Sequence, residues 1–178
     1  MIKTIRKIAK WFGKEDGSAT IEFCIWFPFF ISLLGSAFEA SLITTRQVML
    51  TGALDRTVRD LQLGNLGNPD HAELKVILCD LARFIPNCVS SLHIEMERIS
   101  TSDFAIRTGQ VQCVDLDDDS EPTIKFDTSG PNELMLVTVC AAIRPMVPIT
   151  GLGLKLPKIN GGTSYALPVF SAYVVEPA

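Results

Sequence analysis

The residues able to do chemistry in this chain are few and scattered. His71 stands at the head of a helical pattern and His93 on the polar side of an alternating one; both positions read as exposed rather than catalytic. No GxSxG, HExxH, Walker loop or GxGxxG occurs, and "GLGLKLP" (151–157) lacks the third glycine and the following helix of a dinucleotide turn. "DLDDDSE" (115–121) alternates Asp115, Asp117 and Asp119 as a calcium loop does. Ser120, however, stands where an EF-hand needs glycine, and Phe126 where it needs glutamate. A solvated acidic turn is the expectation there, with an irregular calcium site as the alternative. The pattern leads away from an enzyme, and no cofactor, metal or small-molecule substrate is expected.

The five cysteines divide by setting. Cys24 lies in an apolar run, while Cys79, Cys88, Cys113 and Cys140 lie beyond it without zinc spacing. Four cysteines in an exported domain imply two disulfides. Three pairings are open; nearness in sequence favours Cys79 with Cys88, leaving Cys113 with Cys140. Each bridge would add roughly 2 to 4 kcal/mol to a small core, and four buried thiols are the alternative. The carboxylate that demands explanation is Glu22, at the threshold of "IEFCIWFPFFISLL" (21–34). A charge at a membrane centre costs about 2.5 to 3.5 kcal/mol on insertion scales, and less near the edge.

These residues are carried by a chain of 178 residues, enough for one domain and an appendage, whose 47% hydrophobic content is concentrated rather than spread. Between Ile21 and Thr45 only Glu22 and Glu39 are charged, over a length that crosses a bilayer as a helix. Residues 1–17 hold five basic side chains (Lys3, Arg6, Lys7, Lys10 and Lys14) against Glu15 and Asp16, a net of +3. The other eleven basic and eighteen acidic residues leave the remainder at −7. The positive-inside rule then expects the N-terminus in the cytoplasm and the body translocated. An acidic body also lacks the basic footprint that nucleic acid requires.

The periodicity predicts an α+β fold: a long N-terminal transmembrane and amphipathic helix, a second helix and a small antiparallel β-sheet domain. Residues 1–17 form a basic leader in which Ile5, Ile8 and Phe12 share a face; a helix over 18–63 follows, its membrane part about 21–45; residues 64–178 make the extracytoplasmic domain. Pro28 removes one amide and crowds the Cys24 carbonyl, so a kink or loosening is expected there. Past the span, Ile43, Leu50, Leu54, Val58 and Leu61 recur at helical spacing as a packing face. "GNLGNP" (64–69) ends the helix. Asp70 caps a second helix over 70–85, with Leu74, Ile77, Leu78, Leu81 and Ile85 buried and Pro86 as its stop.

Beyond Cys88 the period changes to two. "SLHIEMERI" predicts a half-buried strand with Leu92, Ile94 and Met96 on one side and His93, Glu95 and Glu97 on the other. "FAIRTGQVQCV" (104–114) predicts a strand or a hairpin around Thr108–Gly109. "ELMLVTVCAAI" (133–143), apolar on both faces, predicts a central strand. "YALPVFSAYVV" (165–175) predicts an edge strand, because Pro168 cannot donate a ladder hydrogen bond. The stretch from Pro145 to Gly162 reads as a long connection.

Gly17, Ser18, Glu22 as the fifth residue after the glycine, Phe23, Pro28 and Phe38–Glu39 follow one another behind the basic leader. "GSATIEFCIWFPFFISLLGSAFEASLI" thereby resembles the processing region of type IV prepilins and, more closely, the TadE/TadG family of minor pseudopilins from bacterial tight-adherence (Flp, type IVc) pilus systems. The resemblance covers roughly residues 13–60; the body is similar only in size and cysteine-bearing α+β character, and its shortness leans towards the TadE type. It implies cleavage between Gly17 and Ser18 by a membrane aspartyl prepilin peptidase, the glycine giving the close backbone access that a side chain would obstruct. It also implies a role in pilus assembly, priming, capping or supporting the fibre with other minor and major pilins and the inner-membrane platform. The expected location is the bacterial inner membrane, single-pass, with a periplasmic body, and incorporation into the extracellular pilus is open. By analogy with pilins, Glu22 pairs with the new ammonium of an adjacent subunit and sets register, in the first turn where the helix dipole favours an anion. The alternative is an interfacial acid reaching headgroup water. Glu39 is a further intramembrane acid: the favoured reading leaves it with Arg46 near the outer headgroups, the other gives it a salt bridge within the assembly.

Two other readings of the N-terminus stand beside this one. A secretory signal would use Phe23 to Leu34 as its apolar core and Gly35-Ser36-Ala37 as its cleavage site, giving a mature start at Phe38. An uncleaved signal anchor would keep Met1. The functional alternative is a membrane-anchored or secreted periplasmic binding domain with no pilus role.

Overall fold

The computed structural model describes residues 18–100, 111–118, 122–128, 130, 132–148 and 151–175. Helix α1, Ser18–Gln62, is 45 residues long and continues without interruption through Pro28, so at about 1.5 Å per residue it extends nearly 70 Å. From Ile21 to Phe38 every large apolar side chain is exposed. From Leu50 onward one face is buried: Leu50, Ala53, Leu54, Thr57, Val58 and Leu61, the stripe that the sequence periodicity predicts. The buried Thr57 hydroxyl donates to the Ala53 carbonyl 2.9 Å away, so it asks nothing of the core.

The end of α1 is chemically explicit. Gly64 adopts φ +71°, its amide donates to the Leu61 carbonyl, and Asn65 donates to Asp60. This pair of bonds closes a Schellman motif, which needs a left-handed residue that glycine supplies without a Cβ penalty. Helix α2, His71–Leu81, opens with a full capping box: Glu73 N donates to Asp70 Oδ1 at 2.7 Å and Asp70 N to Glu73 Oε2 at 3.2 Å. It ends at Leu81 rather than running to 85. The Ala82 amide makes the last bond to Leu78, and Ala82 and Ile85 reach the core from the turn that follows. Leu81 is consequently an exposed residue and Ile77 a half-buried one, while Leu74 and Leu78 are fully enclosed. A short α3, Cys88–Ser91, is tied back to α2 by the Cys79–Cys88 disulfide and leads directly into the sheet.

Among the described residues the sheet has three antiparallel strands in the order β1 (Leu92–Ile99), β2 (Leu134–Ile143), β3 (Tyr165–Val174). The central strand is β2, and Pro168 lies on edge strand β3 opposite Cys140, where a missing donor is tolerated. One face of the sheet, including Ile94, Val139, Ile143, Leu167 and Val169, packs with α1 and α2 to form the core. Against the other side, Cys140 bonds Cys113 and pins the segment around it. Residues 111–114 are not a strand, and Thr108–Gly109 lie outside the described residues. The edge of β1 is covered in part by 125–127, through Met96 N to Lys125 O at 3.0 Å and Asp127 N to Met96 O at 2.9 Å.

The long connection after β2 holds helix α4, Gly151–Lys155, and a 3-10 turn, Ile159–Gly161. Helix α1 packs against β3, α2 and α4. The molecule is therefore an α+β body built around the second half of one helix, whose first half projects from it uncovered.

Candidate functional site

Three places carry the residues singled out from the sequence. At the N-terminus, Gly17 lies outside the described residues and Ser18 begins α1. Glu22 is exposed on α1, but no acid occupies the first turn; Glu22 falls just beyond it. The dipole's favour for an anion decays within one turn, so that contribution to Glu22 is smaller than expected from the sequence. Phe23 is 61% exposed and its ring lies 5.0 Å from that of Phe27; Pro28 is exposed and inside the helix. Farther along, the Ser36 hydroxyl donates to the Ser32 carbonyl at 2.9 Å and Thr44 to Ala40 at the same distance. Hydroxyls satisfied by their own helix make a segment compatible with hydrocarbon.

The second place is the junction of the bare half of α1 with the body. Glu39 is 0% exposed. Its carboxylate accepts from the Met146 amide at 3.0 Å and the Val147 amide at 3.2 Å, both from the connection after β2. One strand-end turn thus supplies two donors to one buried carboxyl group, which is how a buried polar group is made tolerable. Arg46 lies on the same side of α1; its Nη1 and the hydroxyl of Tyr165 are both buried without a hydrogen-bond partner among the described residues. Burial raises the Tyr165 pKa; the nearby Arg46 guanidinium opposes this and Glu39 adds to it. The structure therefore gives Glu39 a place that neither reading from the sequence foresaw: its acid is consumed inside the chain. A signal was present. Glu39 lies four residues before Ile43 and so extends the Ile43–Leu50–Leu54 stripe by one more turn.

The third place is the acidic turn. Asp115 accepts from the Asn160 side chain at 3.0 Å and from the Asp117 amide at 3.0 Å. Asp117 accepts from the Thr163 amide and hydroxyl and from Arg144 Nη2 at 3.1 Å. Thr163 and Arg144 together hold the Asp117 carboxyl below its usual range, the Thr163 amide contributing most. A Cβ at Gly162 would meet Asp117 Oδ2 at 2.6 Å, so a larger residue there would displace the Asp117 carboxylate. These two acids hold the turn after the 3-10 segment, and Asp119 lies outside the described residues. Among the described residues no three His, Cys, Asp or Glu side chains converge as metal ligands.

Both pairs of body cysteines are bridged, Cys79–Cys88 and Cys113–Cys140, and Cys24 is a free, exposed thiol on the bare half of α1. His93, expected to be exposed, is 3% exposed. It pairs across from Cys140, on the side where Cys113 pins its segment, and its Nε2 stands 3.4 Å from Glu95. His71 does open α2, as expected, but is only partly exposed. Burial, then Lys75 and His93, lower its pKa, and its ring meets Phe126 edge-on at 5.6 Å. An open cleft of about 660 Å³ lies beside β3, lined by Gln112, Asp115, Lys158, Asn160, Ala166 and Pro168. Among the described residues that line it there is no nucleophile–base pair. Compared with family models, curated proteins and solved structures, the chain finds no match.

Proposed function

We propose that this chain is a minor pilin-like subunit, of the TadE/TadG pseudopilin kind, needed to assemble a tight-adherence type IV pilus. The observation that carries the reading is the division of α1. Its first half exposes an unbroken apolar surface behind the Gly17–Ser18–Glu22 signature, while its second half is the spine of a folded body. A surface of that size does not stay in water; it inserts in the inner membrane with the basic residues 1–17 on the cytoplasmic side. A prepilin peptidase then cuts after Gly17 and leaves an ammonium at Ser18.

Glu22 acts next. Its carboxylate is exposed on α1, free to approach the Ser18 ammonium of a neighbouring subunit where hydrocarbon screens little. Breaking such a pair leaves an uncompensated charge in lipid, so the pair fixes register. The mechanism is assembly, not catalysis: the helix is the part offered to other pilins and the platform, and the body stays periplasmic or rides on the fibre. The test is mapping of the mature N-terminus in cells with and without the peptidase, where a start at Ser18 only with the peptidase is expected. Met1 retained beside an active peptidase, or a start at Phe38, sinks the reading.

The cleft beside β3 favours a second reading, a membrane-anchored binding domain with no pilus role. The two part on Glu22→Ala: pilus assembly is lost under the first and unchanged under the second.

A further inference from the structure

We infer that the turn Pro145–Pro148 is a membrane-contact element, seated in the outer leaflet's interface and held at that depth by Glu39. The inference rests on the membrane-spanning part of the proposed function and goes beyond it. If the apolar span begins at Ile21, about 20 residues cross the 30 Å of hydrocarbon, which brings the outer edge to the neighbourhood of Ala40. Helical side chains lean towards the N-terminus, so the Glu39 carboxylate lies slightly deeper than its own Cα. The Met146 and Val147 amides are 3.0 Å and 3.2 Å from that carboxylate. The turn is therefore fixed at the boundary between hydrocarbon and headgroups. Tilting α1 shortens its reach along the bilayer normal and moves the turn deeper, never farther out.

The composition of the turn fits this depth. Pro145, Met146, Val147 and Pro148 carry no charge, and Met146 is 63% exposed although apolar. Pro148 is exposed as well. Its two prolines leave two fewer amides to satisfy, and the two amides between them are already given to Glu39. Beside the turn lies α4, whose Gly153 stands against Val147 and Pro148; its Lys155 is exposed, and a lysine stem can carry its ammonium out to lipid phosphates. Arg144, the charged neighbour on the other side, is turned towards Asp117 and Thr163. The occupant of this surface is lipid, because the helix that fixes its height is the one that enters the bilayer.

The test uses the full chain with Cys24→Ser, the other four cysteines being bridged, in nanodiscs of phosphatidylethanolamine and phosphatidylglycerol. A nitroxide is placed at Met146→Cys, at Phe29→Cys on the bare half of α1, and at Phe170→Cys on β3. Phe170 is 63% exposed, five residues along β3 from Tyr165, so about 17 Å of strand separates it from the junction. Collision with oxygen, against a water-soluble nickel chelate, reports depth. The expected oxygen-to-nickel ratio at 146 is several-fold above that at 170 and approaches that at 29. Glu39→Ala is expected to lower the ratio at 146 and leave 29 unchanged. A ratio at 146 equal to that at 170, with 29 still lipid-like, overturns the inference and leaves the membrane reading intact. An aqueous signal at 29 overturns both.

Discussion

Two of the acids on helix α1 stand in opposite situations. Glu22 is exposed in the bare half of α1; Glu39 is fully enclosed and holds two backbone amides. The halves differ in the same way. Leu33 is 66% exposed and Leu54 is 1% exposed, although both are leucines in the middle of unbroken helix. One half is complementary to a solvent and the other to its own chain. The lesson is that helix formation and helix placement are separate questions: local hydrogen bonds make both halves, and only the second half obtains its stability from the body.

That contrast can be broken by substitution. Leu54→Ala should destabilise the body by about 2 to 5 kcal/mol, the range for a buried leucine that leaves a cavity, whereas Leu33→Ala should leave its denaturant midpoint in detergent unchanged. Equal effects would mean that the two halves are not independent. Glu39→Ala leaves the Met146 and Val147 amides without their acceptor and should cost about 2 to 3 kcal/mol, read by the same titration. Glu22→Ala should leave that midpoint in place while abolishing assembly. A stability loss at Glu22 would show that its carboxylate has an intrachain role.

Smaller effects sharpen the picture of the body. Asp117 is held below its ordinary 3.8 by Thr163 and Arg144. Its contribution to stability is thus present above pH 3.8 and is lost as pH falls through the lower folded value. Asp117→Asn should flatten the acid limb of a melting-temperature profile, modestly because the group is exposed, and leave the neutral region nearly level. Tyr165→Phe removes a buried hydroxyl that has no partner within hydrogen-bond geometry among the described residues. It should change stability by less than about 0.5 kcal/mol, or raise it, since no bond is broken. A marked loss would show that the hydroxyl bonds Arg46, directly or through water.

Local signals carried far. The Schellman stop at Gly64, the capping box of Asp70 and Glu73, and the apolar stripe from Leu50 to Leu61 each depend on residues within a few positions of one another. Each was readable in the sequence for that reason. Central β2 and edge β3 were readable from two apolar faces and one proline. The end of α2 was not, because Ala82 and Ile85 continue the apolar period after the helix has stopped, and burial without helix looks the same in a pattern. His93 looked exposed because alternation shows only which side a residue takes, not what is later laid over that side.

The amino-acid sequence alone determined that an uncharged helical length stands between a basic N-terminal segment and an acidic body, with one acid at its threshold. Composition and spacing suffice for that, since solvent preference is a property of neighbouring residues. Only the tertiary structure decided that the second acid belongs to the body. The amides that hold Glu39 come from residues 107 and 108 positions away, and a hydrogen bond across that separation exists only once the sheet has brought the turn after β2 back to the helix.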